Sequence, residues 1–224
     1  MKKEVFLTSD GSPSLRVIEI KETYHSRHGA LTESTHVYID MGLDYWINNN
    51  YKNELSIFEM GLGTGLNAYL AYVFSKVKKV NINYHSIDKF PLLEEELHSL
   101  KMKSVLPNPE HTDFYHALHS CSWEKELPQD GFLFSKSKID FLDLDVSQKF
   151  DIIFYDAFGY HAQPELWQKK PIELCFQLLN PGGVWVSYCA KGVVRRTLQE
   201  VGFQVSRLKG PPGKREMLRA IKPI

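Results

Sequence analysis

The 224 residues suit one large domain or two small ones at roughly 100–200 residues each, and 43% apolar with 24% charged residues excludes a disordered, collagen-like or coiled-coil chain. Lys plus Arg and Asp plus Glu both number 27, so global charge selects no partner; Cys121, Cys175 and Cys189 lack the paired spacing of a zinc site or disulfide framework, and no metal is expected. No apolar run approaches the roughly 18 residues of a membrane span, and MKKEVFLTSDGS turns polar too early for a signal peptide, so the expected location is cytoplasmic, with no membrane partner.

In chain order, VFLTSDGSPSLRVIEI sets two apolar runs around Asp10-Gly11, a hairpin signal, and the first forty residues read as β-rich. Residues 1–54 are therefore expected as a β-rich extension packed on a core domain of residues 55–224. From Leu55 the runs LSIFEM, LNAYLAYVFSKV, VNINYHSI and PLLEEELHSL alternate between strand and helix patterns, which indicates βαβ units and a parallel sheet. Pro107–Asp130 fits neither period and is read as an insertion with a helix from His111 to Trp123. Strands follow at Phe150–Phe158 and Gly182–Ala190, with helix-like PELWQKKPIELCFQLL between them. After the helix VVRRTLQEVG, FQVSRLKG and REMLRAIK are joined by PPGK and predict an antiparallel pair that finishes the sheet.

The main chemical signal is Ile57–Asn67, a buried strand running through Gly61, Gly63 and Gly65 into a helix. Glycines let the chain turn tightly and let a ligand approach the backbone beside a helix N-terminus. A dinucleotide site needs a third glycine where this chain has Leu66. With Glu59 in front, the pattern is ExGxG, the arrangement of Rossmann-like S-adenosylmethionine-dependent methyltransferases; a carboxylate suits a cofactor carrying an ammonium and a sulfonium better than a pyrophosphate. By themselves, three glycines also fit a tight turn without a ligand. Asp88 ends the next strand, where a carboxylate can accept both ribose hydroxyls. Asp140 follows Ser137-Lys138-Ile139 and is placed either at the adenine amino group or in a solvated turn.

Asp156 ends the apolar run from Phe150, at the sheet edge where α/β proteins bind ligands, so it is the candidate beside the reacting methyl group; a plain turn aspartate is the other reading. Tyr155, Phe158, Tyr160 and His161 beside it make either an aromatic wall or ordinary packing. From Cys189 onward there are nine basic residues against Glu200 and Glu216, a local surplus of seven and a possible polyanion-binding face.

These blocks resemble the MnmC-type methyltransferases, which act on 5-aminomethyl-2-thiouridine at the wobble position of tRNA. The resemblance rests on Tyr24–Tyr38 (YHSRHGALTESTHVY), Glu59–Asn67, Ser86–Leu92, Asp156-Ala157-Phe158 with Pro164–Trp167, Pro181-Gly182-Gly183, Val194–Arg196, Gly202-Phe203 and Gly213–Leu218. It implies an α/β Rossmann-like methyltransferase sheet with S-adenosylmethionine as cofactor, held by Glu59, Gly61, Gly63, Gly65, Asn67, Asp88 and Asp140. Asp156 takes the position of the family's aspartate at the substrate amine. The basic residues Lys191, Arg195, Arg196, Lys214 and Arg215 become the expected phosphate-binding surface for the anticodon arm. Two departures stand out: Asp88 where Glu is common, and Ala157 where the family often has Gly. The chain stops at Ile224 without the oxidase domain of two-domain members, so it resembles the standalone enzymes, whose aminomethyl substrate comes from a separate enzyme. A small-molecule amine methyltransferase, a polyamine aminopropyltransferase and a non-catalytic nucleotide- or RNA-binding module remain as alternatives.

Overall fold

The computed structural model describes residues 1–50 and 52–224. The chain opens on a small antiparallel sheet of β1 (Lys3–Leu7), β2 (Pro13–Val17) and β3 (Glu22–Thr23). Between β1 and β2 the Asp10 carboxylate accepts from Thr8 Oγ1 (2.8 Å) and Ser12 N (3.0 Å), a local bond pattern that fixes the hairpin loop.

The β-rich reading of the first forty residues holds to Thr23 and fails beyond it. Ala30–Ser34 forms α1, Thr35–Asp44 a π-helix and Tyr45–Asn50 α2. The strand expectation rested on the runs around Asp10-Gly11 and does not extend past them: Val37, Tyr38, Ile39, Leu43 and Trp46 are buried from helical segments against the core.

The main sheet comprises β4 (Glu54–Met60), β5 (Asn81–Ile87), β6 (Glu126–Gln129), β7 (Phe132–Ser137), β8 (Phe150–Tyr155), β9 (Leu179–Ser187), β10 (Gln204–Lys209) and β11 (Glu216–Ile221). Their spatial order is β10-β11-β9-β8-β4-β5-β7-β6. Strands β7, β5, β4, β8 and β9 run parallel; β11 is antiparallel to β9 and to β10, as the C-terminal pair predicted. Helix α3 (Leu66–Lys78) covers one face and is buried along its length, as expected of a crossover helix on a parallel sheet. Helices α6 (Lys169–Leu178) and α7 (Gly192–Val201) cover the other face, where Trp167, Trp185 and Tyr155 fill a second core.

Within Pro107–Asp130 the helix is α5 (Thr112–Ser120), shorter than the sequence suggested; α4 (Glu94–Leu100) precedes it. The stretch also contributes β6, which pairs with β7 across Asp130-Gly131. Those residues have φ 34° and 78°, the left-handed conformation of a two-residue hairpin turn, and the Asp-Gly pair was the overlooked signal. No helix of the described residues is long and apolar enough to cross a membrane.

Candidate active site

The strand register brings the chemistry to one edge. Met60 pairs with Ile87 on one side and Tyr155 on the other, so Gly61, Asp88 and Asp156 are each the first residue past their strands and lie level. Phe154 pairs with Val186, which carries Tyr188 up beside Asp156. Above this edge is a cleft of about 900 Å³, its far wall supplied by Tyr24, His25 and Ser26 from the N-terminal segment.

On one side of the cleft the glycine loop is held by backbone bonds: Gly61 N and Leu62 N both donate to Ile87 O, at 3.0 and 3.1 Å. A Cβ on Gly61, at φ +97°, would sit 2.7 Å from Asp156 O, so only glycine lets β4 turn beside β8. Asp88 Oδ2 accepts from Gly63 N (3.0 Å) and Oδ1 from Phe90 N (2.8 Å), which leaves each oxygen one further acceptor site. Burial raises the Asp88 carboxyl above the usual range, against those two bonds. The insertion braces the loop from behind, because Tyr115 OH (2.7 Å) and His119 Nε2 (3.0 Å) on α5 both donate to Thr64 O. Burial takes the His119 imidazole down to about 4, so it is neutral near pH 7. A Cβ on Gly65, at φ +73°, would meet Leu118 of α5 at 2.7 Å.

On the other side, Asp156 Oδ1 accepts from Tyr38 OH at 2.7 Å and Oδ2 from Asn67 Nδ2 at 2.8 Å. Burial pushes its carboxyl up to about 6, with the Glu33 charge adding to the rise and the Tyr38 and Asn67 bonds opposing it. Buried Glu33 joins the same wall: Oε2 accepts from Ser26 N (2.7 Å) and Oε1 pairs with Lys214 Nζ at 2.5 Å. The Lys214 ammonium also lies 3.7 Å above the ring of Tyr188, whose hydroxyl donates to Ala157 O (2.8 Å).

Several sequence-derived candidates have surroundings other than those expected. Glu59 is 0% exposed and does not line the cleft. Two positions before Gly61 on β4, it lies on the α3 face of the sheet with Ile57 and Leu55, and its Oε2 accepts from Ser86 Oγ (2.7 Å). That geometry corrects its expected place on the cofactor. Asn67, also expected on the cofactor, lines the cleft but spends its amide N–H on Asp156. Asp140 lines the cleft too, while its Oδ2 accepts from Lys89 Nζ (2.6 Å) and its Oδ1 caps the turn at Leu142 N (3.0 Å); the Lys89 bond lowers its carboxyl.

Among the expected phosphate-binding residues, Lys214 has its ammonium on Glu33, whereas Lys191, Arg196 and Arg215 are exposed and Arg195 half-exposed, with no carboxylate partner among the described residues. Lys191 Nζ lies 4.9 Å above the Tyr160 ring. Three other C-terminal cations serve the fold: Arg207 pairs with Glu216 (3.4 Å), Arg219 stacks on Tyr45, and Lys222 donates to Phe176 O and Leu179 O (both 2.8 Å). Phe158, Tyr160 and His161 line the cleft, but Tyr155 is core, its hydroxyl on Leu166 O. Sequence reading missed Glu33, Tyr38 and Tyr188. The first two belong to a block quoted only for its resemblance, and only folding brings them to Asp156.

The strand order, the glycine loop and the strand-end carboxylates define a Rossmann-like, S-adenosylmethionine-dependent methyltransferase. A family model described as S-adenosyl-L-methionine-dependent methyltransferase matches residues 134–223. The chain is similar to the tRNA 5-methylaminomethyl-2-thiouridine biosynthesis bifunctional protein MnmC of Marinomonas sp. (strain MWYL1), 28% identical over 93% of this chain and 32% of the relative. Its namesake from Leptospira interrogans is 30% identical over 89% of this chain and 32% of its own length, so the chain spans about a third of these curated relatives. The crystal structure of MnmC2 from Aquifex aeolicus superimposes with a TM-score of 0.81 at 25% identity, covering 100% of this chain and 73% of that one. The Thermotoga maritima spermidine synthase shares the fold, with a TM-score of 0.58 at 10% identity over 98% of this chain and 68% of that one. The chain is an S-adenosylmethionine-dependent methyltransferase domain similar to the MnmC proteins along nearly its whole length.

Proposed function

We propose that this domain methylates the primary amine of 5-aminomethyl-(2-thio)uridine at the tRNA wobble position, working in the cytoplasm on a substrate whose aminomethyl group an earlier enzyme has supplied. The observation that carries the reading is Asp156, a carboxylate poised near neutrality and aimed by two hydrogen bonds into a cleft with exposed cations near its mouth. S-adenosylmethionine supplies an electrophilic methyl group on a sulfonium. The glycine turn at Gly61, with no Cβ against the Asp156 backbone, and the spare acceptor sites of Asp88 suit the donor's nucleoside end.

A primary alkylamine has a pKa of roughly 10.4 and arrives protonated, without the lone pair it needs. Asp156 binds that ammonium, takes its proton and orients the freed amine for in-line attack, in which the N–C bond forms as the S–C bond breaks and its electron pair stays on sulfur. With a carboxyl near 6, Asp156 is ionised at neutral pH, free to bind the ammonium and to pass its proton on to solvent, and its raised value makes it a better base than an ordinary carboxylate. Glu33 and Lys214 close the pocket as a paired charge beside Asp156. The exposed Lys191, Arg196 and Arg215 and the half-exposed Arg195 are assigned to anticodon-arm phosphates.

The test is mass spectrometry of nucleosides from tRNA carrying 5-aminomethyluridine, after incubation with the protein and S-adenosylmethionine. A gain of one methyl on that nucleoside is expected. Unmodified tRNA alongside methylated free amines would instead favour a small-molecule enzyme.

A further inference from the structure

Beneath the glycine loop, three neighbouring buried polar atoms lack a hydrogen-bond partner: Glu59 Oε1, Asn67 Oδ1 and the Tyr84 hydroxyl. Buried polar groups are seldom left unpaired, because an orphan costs about 1–3 kcal/mol. The pattern has a chemical solution. Asn67 has turned its N–H toward Asp156, which points its carbonyl oxygen back toward the sheet. Glu59 already accepts from Ser86 through Oε2. If Glu59 were ionised, Oε1 and Asn67 Oδ1 would be two acceptors with at most the Tyr84 O–H between them, and a second negative charge would lie under Asp156. One proton on Oε1 removes both problems.

We infer that Glu59 is held as the neutral acid, its Oε1–H donating to Asn67 Oδ1, and so fixes the amide whose N–H holds Asp156. Glu59 is then a positioning residue that acts through Asn67, which differs from the cofactor contact expected from the ExGxG pattern. Tyr84 and Ser86 face it from β5, Asn67 from α3 and Asp156 from the end of β8, and no cation among the described residues pairs with it. Burial, reinforced by the Asp156 charge, pushes its carboxyl up to about 8 against the lowering influence of the Ser86, Asn67 and Tyr84 polar groups. The device also locks the Asn67 orientation: a flipped amide would point its oxygen at Asp156 and leave that carboxylate with one donor.

The inference rests on Asp156 being the reacting carboxylate, whereas its main readout does not. Infrared spectroscopy at pH 7 of protein labelled with carbon-13 at glutamate carboxyls should show a protonated-carboxyl band that disappears in Glu59→Gln. The glutamine amide can donate to Asn67 in place of the acid, so methyl transfer should stay within about threefold and the midpoint of the rate–pH profile should not move. Glu59→Leu, which can neither donate nor accept, should lose more than about tenfold in kcat with the KM for S-adenosylmethionine unchanged. Absence of the band, or a downward shift of the pH midpoint in Glu59→Gln, would mean that Glu59 is an anion and overturn the inference. A persistent band without methylation of tRNA would count against the proposed substrate alone.

Discussion

The glycine-loop side of the cleft comes from one βαβ unit, Gly61 through Asp88, and is tied by main-chain bonds: Gly61 N and Leu62 N to Ile87 O, and Gly63 N to Asp88. The Asp156 side is gathered from separate segments, with Glu33 on α1, Tyr38 on the π-helix, Asn67 on α3, Tyr188 after β9 and Lys214 before β11, joined side chain to side chain. A backbone-tied wall presents fixed donors and acceptors whatever the neighbours do. A wall of packed side chains is tunable, and the carboxyl raised to about 6 is its product. Substitutions on the first side should therefore change donor affinity, and those on the second should change the rate and its pH dependence.

The largest expected effect is on the gathered side. Asp156→Asn keeps shape and removes the base, so methyl transfer should fall by about 10²–10⁴, the usual contribution of a positioned base. Calorimetry should find donor affinity unchanged. Near-normal turnover would rule out the carboxylate role and erase the distinction between the two sides. Next comes Asp88→Ala, which removes charge-assisted bonds of roughly 1.5–3 kcal/mol, or about ten- to a hundredfold in donor affinity, with kcat at saturation little changed. Unaltered affinity by calorimetry would move the ribose elsewhere.

A smaller change should separate the sides by pH alone. Asp156 has to be ionised to take a proton, so the rate should rise with pH through about 6 and fall away below it. Tyr38→Phe deletes the O–H that stabilises the charged form, so the carboxyl should rise further and the midpoint should move upward. An unmoved midpoint in the rate–pH profile would show that another group sets it. Asp88→Ala should leave the midpoint where it is.

The same contrast explains what could be read from the sequence. Gly61, Gly63, Gly65 and Asp88 were legible because their spacing is local and each sits where a strand ends, a position that periodicity alone predicts. Asp156 was legible for the same reason. Glu33 and Tyr38 were not, since they reach Asp156 and its neighbours from α1 and the π-helix, more than a hundred positions away in the chain. Glu59 shows the converse: its place in the motif suggested a ligand, yet strand alternation puts it on the α3 face, where only burial decides its chemistry. The Pro107–Asp130 insertion yielded its helix but not its purpose, because the bonds from Tyr115 and His119 to Thr64 O join residues more than fifty positions apart.

The last comparison lies within the basic C-terminal segment, where identical charge hides two kinds of residue. Lys214 is bound to Glu33 and stacked on Tyr188 inside the cleft, while Arg195 and Arg196 lie on the first turns of α7 without carboxylate partners among the described residues. Only unpaired, accessible cations exchange their counterions for phosphates. Replacing both arginines with alanine should therefore lower the magnitude of the log–log slope of tRNA affinity against salt by roughly 0.7–0.9 for each lost contact, and leave donor affinity unchanged. Lys214→Met should leave that slope alone but strand a buried Glu33 carboxylate beside Asp156, which pushes the Asp156 carboxyl higher and slows transfer at neutral pH. Filter-binding titrations at several salt concentrations, set beside rate–pH profiles, distinguish the two kinds of cation: a reduced slope for Lys214→Met, or an unchanged slope for the arginine pair, would place the anticodon arm on a different face of the molecule.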